Sequence, residues 1–111
     1  MAKTAVNLTA AEDVVYSYGI DGQGTGAAFQ FTGTWAGIIT FEAKIRGAAW
    51  TKATAIMATN AATLVSATTI TSTGTDVNGI YRVVGDGLDV RARMSTYTSG
   101  TCVADSADVE V

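Results

Sequence analysis

Between Trp35 and Ile45 the chain alternates without a break. The odd positions are Trp35, Gly37, Ile39, Phe41, Ala43 and Ile45; the even ones are Ala36, Ile38, Thr40, Glu42 and Lys44. A period of two belongs to a strand, because successive side chains leave opposite faces. The run therefore predicts one long strand with a buried odd face and a wetter even face. Phe29 and Phe31 precede it on one parity, with Gln30 between them, and Gly33 marks a bend. Arg46-Gly47-Ala48-Ala49 reads as a turn, and Trp50 starts the return.

The same reading extends along the chain. Val6 and Leu8 predict a short edge strand or an extended arm within residues 1–12. Asp13 to Ile20 predicts a second strand, and Asp21-Gly22-Gln23-Gly24-Thr25-Gly26 a glycine-rich turn. Residues 54–63 are rich in alanine but carry no capped amphipathic stripe, so they read as strand and loop rather than helix. Leu64 to Thr71 is strand-like, and Asn78-Gly79 is a turn signal. Ile80 to Val84 follows as a strand. Leu88, Val90, Ala92 and Met94 then form one face of the next, with Asp89, Arg91, Arg93 and Ser95 on the other. Tyr97 to Gly100 reads as a turn, and Thr101 to Val111 as the last strand, ending in the acids Asp105, Asp108 and Glu110. Short strands at this spacing predict an all-β chain: a single antiparallel β-sandwich over residues 1–111, jelly-roll or immunoglobulin-like, with seven to nine strands.

A chain of 111 residues is one domain's worth and is long enough for a core without staples. Charged residues are only 15% of it, light for a lone soluble monomer, so many Thr, Ala and Gly side chains face outward or face a partner. Edge strands also lack proline, a common block to edge pairing. Both features point to self-assembly. The net charge of −3 and the scattered basic residues argue against nucleic acid. No apolar run reaches membrane-spanning length, and the start Met1-Ala2-Lys3-Thr4 has no apolar signal segment, so synthesis and folding in a cytoplasm are expected.

Catalytic chemistry is thin. There is no histidine, which removes the commonest general base and any Ser-His nucleophile. Cys102 stands alone and reads as a small buried hydrophobe rather than a disulfide partner or metal ligand. Glu12 and Asp13 are adjacent and point apart in a strand. Glu42 reads as a surface carboxylate paired with Lys44, or across strands with Arg91 and Arg93. The glycines at 22–26 lack the Gly-Lys-Ser/Thr ending of a phosphate loop. Asp21, Asp76, Asp86 and Asp89 match no calcium-loop spacing. No catalytic residue, metal site or cofactor is predicted. Among the aromatics Trp35, Trp50, Tyr16, Tyr18, Tyr81 and Tyr97, Trp35 has core parity. Tyr97, in its Thr/Ser/Gly setting, is the candidate for an external contact. Arg82, Arg91 and Arg93 would form a basic patch if their strands were neighbours, open to carboxylates of another subunit.

Three segments carry a resemblance: Gly33-Thr34-Trp35-Ala36-Gly37-Ile38-Ile39-Thr40-Phe41-Glu42 with Trp50 after the turn; Gly79-Ile80-Tyr81-Arg82-Val83-Val84-Gly85-Asp86-Gly87-Leu88; and Val90-Arg91-Ala92-Arg93-Met94-Ser95-Thr96-Tyr97-Thr98-Ser99-Gly100. In this order they resemble a β-sandwich module of tailed-bacteriophage virion proteins. The likeness spans roughly Phe29 to Val103, loosely between Ala53 and Asp76, and departs at Arg46-Gly47-Ala48-Ala49, where a more polar turn is expected. The resemblance implies a non-enzymatic structural protein of the virion. Its leading form is a capsid decoration protein, homo-oligomeric with a trimer favoured, set on a major capsid protein. The alternative is a tail, neck or head-fibre module that binds host-surface carbohydrate.

Overall fold

The computed structural model describes residues 6–17, 27–45, 47–57, 66–75, 77–83 and 89–107. Among them the chain forms eleven strands: β1 (Val6–Leu8), β2 (Val14–Ser17), β3 (Ala27–Thr32), β4 (Trp35–Lys44), β5 (Thr51–Lys52), β6 (Ala55–Met57), β7 (Ser66–Ala67), β8 (Thr69–Gly74), β9 (Gly79–Val83), β10 (Asp89–Gly100) and β11 (Cys102–Ala107). One sheet has the order β1-β11-β3-β9-β6-β7. The other runs β2-β10-β4-β5, with β8 also on β4. Every pairing is antiparallel, and the two sheets pack as a β-sandwich. The count exceeds the expected seven to nine because residues 55–57 form the short β6 and the one strand expected over Leu64 to Thr71 is, among the described residues, two: β7 in the first sheet and β8 in the second.

A folded-over ribbon organises both layers. β3 and β11 pair in the first sheet, from Ala28 opposite Ala107 to Thr32 opposite Val103. Their continuations β4 and β10 pair in the second, from Trp35 opposite Gly100 to Lys44 opposite Asp89. The two chains change sheets side by side, at Gly33-Thr34 and at Gly100-Thr101. The Thr101 N–H donates to the Thr34 carbonyl at 3.1 Å. Gly100 has φ +84°, and a Cβ there would collide with the Thr34 carbonyl oxygen and lie 2.8 Å from the Trp35 Cα. Only glycine fits a left-handed backbone pressed against another strand in this way. Asn78 ties the corner down. Its Nδ2 donates to the Gly33 carbonyl at 2.8 Å, and its Oδ1 accepts from Trp35 Nε1 at 3.1 Å.

The core lies between the layers. Trp35, Gly37, Ile39, Phe41 and Ala43 are buried, as the odd parity predicts. They meet Phe29 and Phe31 of β3, Tyr81 of β9, and Val90, Ala92 and Met94 of β10. Ring centroids of Phe31, Phe41 and Tyr81 stand 5.6–6.2 Å apart in tilted pairs, a favoured aromatic geometry. The Tyr81 hydroxyl donates to the Val77 carbonyl at 2.6 Å. Each such aromatic or aliphatic side chain contributes about 1.5–3 kcal/mol by leaving water.

Several expectations change. Ile45 has the buried parity but is 67% exposed, because β4 ends at Lys44 and the chain turns there, with the Ala48 N–H donating to the Ile45 carbonyl. Thr40 and Glu42, on the face expected to be wetter, are buried. Residues 97–100 are not a turn but the end of β10, which keeps pairing with β4 through two register shifts. Asn78 does close a turn on Thr75, but β8 and β9 lie in different sheets, so no hairpin forms there. The expected β4–β5 hairpin is present. Val6 to Leu8 forms an edge strand against β11. The glycine-rich turn at 21–26, the aspartates 76 and 86, Tyr18, and the terminal Asp108 and Glu110 lie outside the described residues.

Candidate contact face

The outer face of the β2-β10-β4-β5 sheet has a charged half and an uncharged half. Cross-strand register places Arg91 of β10 opposite Glu42 of β4 and Tyr16 of β2, while Lys52 of β5 opposes Glu42 on the other side. Arg91 Nε donates to Glu42 Oε1 at 2.7 Å. Arg93 Nε reaches the same oxygen at 3.2 Å, and its Nη1 pairs with Glu12 at 2.9 Å. Glu12 is held for this by its turn. It has φ +74°, its N–H donates to the Met94 carbonyl at 2.8 Å, and the Asp13 carboxylate accepts from the N–H groups of Thr9 and Ala10.

Trp50 covers this network. The Arg91 guanidinium carbon lies 4.2 Å from its ring centre, Lys44 Nζ 4.9 Å, and the Tyr16 ring centre 6.2 Å. Cations over an indole gain from its negative face. Burial raises the cost of ionising Glu42, yet hydrogen bonds from Arg93 and Arg91, with their charge, overcome it and hold the carboxyl below its ordinary value. Burial pushes the Cys102 thiol up to about 12, which makes it inert.

The other half is formed by β8, the first part of β4 and the last part of β10. Thr69, Thr71 and Thr73 alternate outward and exposed on β8, opposite Thr40, Ile38 and Ala36. Thr96 lies opposite Ile38 on the far side. The Thr40 and Ser95 hydroxyls are 2.8 Å apart, and Ser95 donates to the Ile38 carbonyl. No charged residue stands among these positions.

The residues named from sequence are not gathered into one site. Arg91 and Arg93 are neighbours, engaged with Glu42 and Glu12. Arg82 is exposed on β9, in the opposite sheet, so no three-arginine patch forms. Tyr97 is half-buried, its ring against the core and its hydroxyl donating to the Gly100 carbonyl at 2.8 Å. Sequence reasoning offered Arg91 and Arg93 as cross-strand partners of Glu42, beside Lys44 as the alternative, but missed the roles of Trp50, Glu12 and Asn78, most of whose partners are remote in sequence. A groove of about 480 Å³ opens beside the β4–β5 hairpin, bordered by Lys44, Lys52, Ile45 and Ile56. A smaller hollow of about 170 Å³ lies on the opposite sheet by Gln30, Ile80 and Asp105. Among the described residues no three metal-ligating side chains converge. No family model, curated protein or solved structure matches the chain.

Proposed function

We propose that this protein acts by contact: a non-enzymatic structural component of a bacteriophage virion, a decoration protein that self-associates on a capsid shell. One observation carries the reading. On the outer face Arg91 and Arg93 are paired with Glu42 and Glu12, and the surface beside them is an uncharged field of threonine, alanine and isoleucine on regular strands. Such a surface offers shape and β-branched contact. Repeated over a symmetric shell, weak contacts of this kind sum to a strong hold. The bacteriophage setting is supported by the resemblance of the Gly33–Glu42, Gly79–Leu88 and Val90–Gly100 segments. Three of their residues, Gly33, Trp35 and Gly100, build the corner of the ribbon.

Mass spectrometry of purified virions tests the proposal; the chain should be present, and its absence from the particles overturns it. Glycan-array binding lost on Tyr97→Ala would favour a carbohydrate-binding fibre or tail module instead. Polysaccharide hydrolysis abolished by Glu42→Gln would overturn both readings.

A further inference from the structure

We propose that the groove beside the β4–β5 hairpin binds a free single-chain alkyl carboxylate, its head between Lys44 and Lys52 and its tail along Ile45 and Ile56. The inference goes beyond the contact role proposed above and does not depend on it.

The groove lies where the chain leaves one sheet for the other. β5 ends at Lys52, the Ala53 N–H donates to the Phe41 carbonyl at 2.8 Å, and β6 begins at Ala55 in the opposite sheet. The opening of about 480 Å³ falls within the size range of sites that hold small ligands. Its apolar lining is Ala43, Ile45, Ala53 and Ile56. Ile45 is 67% exposed; among the described residues only Val6 is another large hydrophobic left in water. An aliphatic chain laid over Ile45 would take both surfaces out of water, which is the favourable direction.

The rim carries the charge. Lys52 lies opposite Glu42, so Lys44, two residues further along β4, stands diagonal to Lys52 on the same face. Diagonal neighbours are about 7 Å apart, within reach of long side chains, so one carboxylate can answer both ammonium groups. Neither lysine is neutralised within the chain. The Glu42 oxygens are taken by Arg91 and Arg93. Asp89 lies opposite Lys44 on β10, yet among the described residues no ion pair joins them. The Trp50 ring, 4.9 Å from Lys44 Nζ, positions that ammonium without cancelling its charge.

The lining selects the class of ligand. A sugar needs several convergent polar groups, and among the described lining residues Thr51 and Thr54 supply the only hydroxyls. A peptide strand needs an edge to pair with, and β5 has two residues. A molecule with one negative end and an otherwise apolar body matches both parts of the groove.

Decanoate is the probe, titrated into the full chain below its micellar concentration. Calorimetry should show saturable binding that weakens by up to about fourfold for each methylene removed. Trp50 fluorescence should follow the head group, because Trp35 is buried. Decanol, which keeps the chain and loses the charge, should bind less tightly, and decyltrimethylammonium should not bind. Lys44→Gln with Lys52→Gln should weaken decanoate by about two- to thirtyfold and leave decanol unchanged. Ile45→Ser should weaken both. Lys52 and Ile45 are exposed, so the fold should survive these changes, with circular dichroism matching the parent. No saturable binding of decanoate, equal affinity for decanol, or unchanged affinity in either the lysine pair or the Ile45 variant overturns the proposal. Phosphatidylglycerol vesicles should not retain the chain; retention would make the groove a membrane contact and overturn the free ligand. Absence of the chain from virions would sink the contact reading and leave this site standing.

Discussion

Arg91 Nε and Glu42 Oε1 lie 2.7 Å apart on neighbouring strands, with the glutamate side chain only 10% exposed. The carboxylate answers two arginines at once, since Arg93 reaches the same oxygen. Removing its charge would leave two neighbouring cations without their shared counter-ion. Glu42→Gln is expected to destabilise the fold by about 1–3 kcal/mol, read as a lower urea midpoint. Arg93→Lys should cost less than Glu42→Gln, because Glu12 remains within its reach.

The same carboxylate sets an acid limit. Its folded pKa lies below the ordinary 4.5. A depressed carboxyl stabilises the fold at pH values above its unfolded pKa, and that stability is lost as pH falls through the folded one. Unfolding free energy should therefore drop as pH is lowered below about 4.5. In Glu42→Gln this limb should flatten. An identical slope in parent and variant would assign the acid sensitivity to other carboxylates.

Gly100 and Gly47 both have a left-handed backbone, with φ +84° and +83°. Their surroundings differ: a Cβ at 47 meets nothing within 4 Å, whereas at 100 it strikes the Thr34 carbonyl. Gly47→Ala should cost about 1 kcal/mol, the conformational penalty alone. Gly100→Ala adds a backbone collision and should cost about 3 kcal/mol or more, seen as a larger loss in thermal midpoint.

Cys102 offers a probe of global opening. It is fully buried on β11, cross-strand from Leu8 of the edge strand β1, with its thiol pushed up to about 12. Alkylation at pH 8 should be negligible in the native protein and complete in denaturant. Rapid native labelling would show that β1 opens independently of the sandwich.

The alternation of residues 35–44 made the central strand legible, and so did the opposed faces of Val90–Met94 and Asp89–Ser95. What the alternation could not show was that the even face of β4 is itself covered. Thr40 and Glu42 are polar, and they are buried only because Ser95, Arg91, Arg93 and Trp50 arrive from elsewhere in the chain. Tyr97 misled for a related reason. Its Thr, Ser and Gly neighbours have turn composition, but β10 absorbs two irregularities and continues as strand, which brings the ring onto the core. Glycine gave a bend signal at 33, whereas its counterpart at 100 is a sheet-to-sheet crossing that only the pairing with Trp35 reveals. The Asn78–Trp35 hydrogen bond links residues 43 positions apart and left no trace in local sequence.

The folded-over ribbon also orders events during synthesis. β3 waits for β11, and β4 for β10, so neither layer can close until residues 89–107 have been made. Until then Phe29, Phe31 and Phe41 have no lid, and the emerging chain is exposed to its neighbours on the same message. Contacts so distant along the chain close slowly. The growing chain therefore meets its greatest hazard before β10 and β11 emerge, which makes those two strands the point where yield is decided.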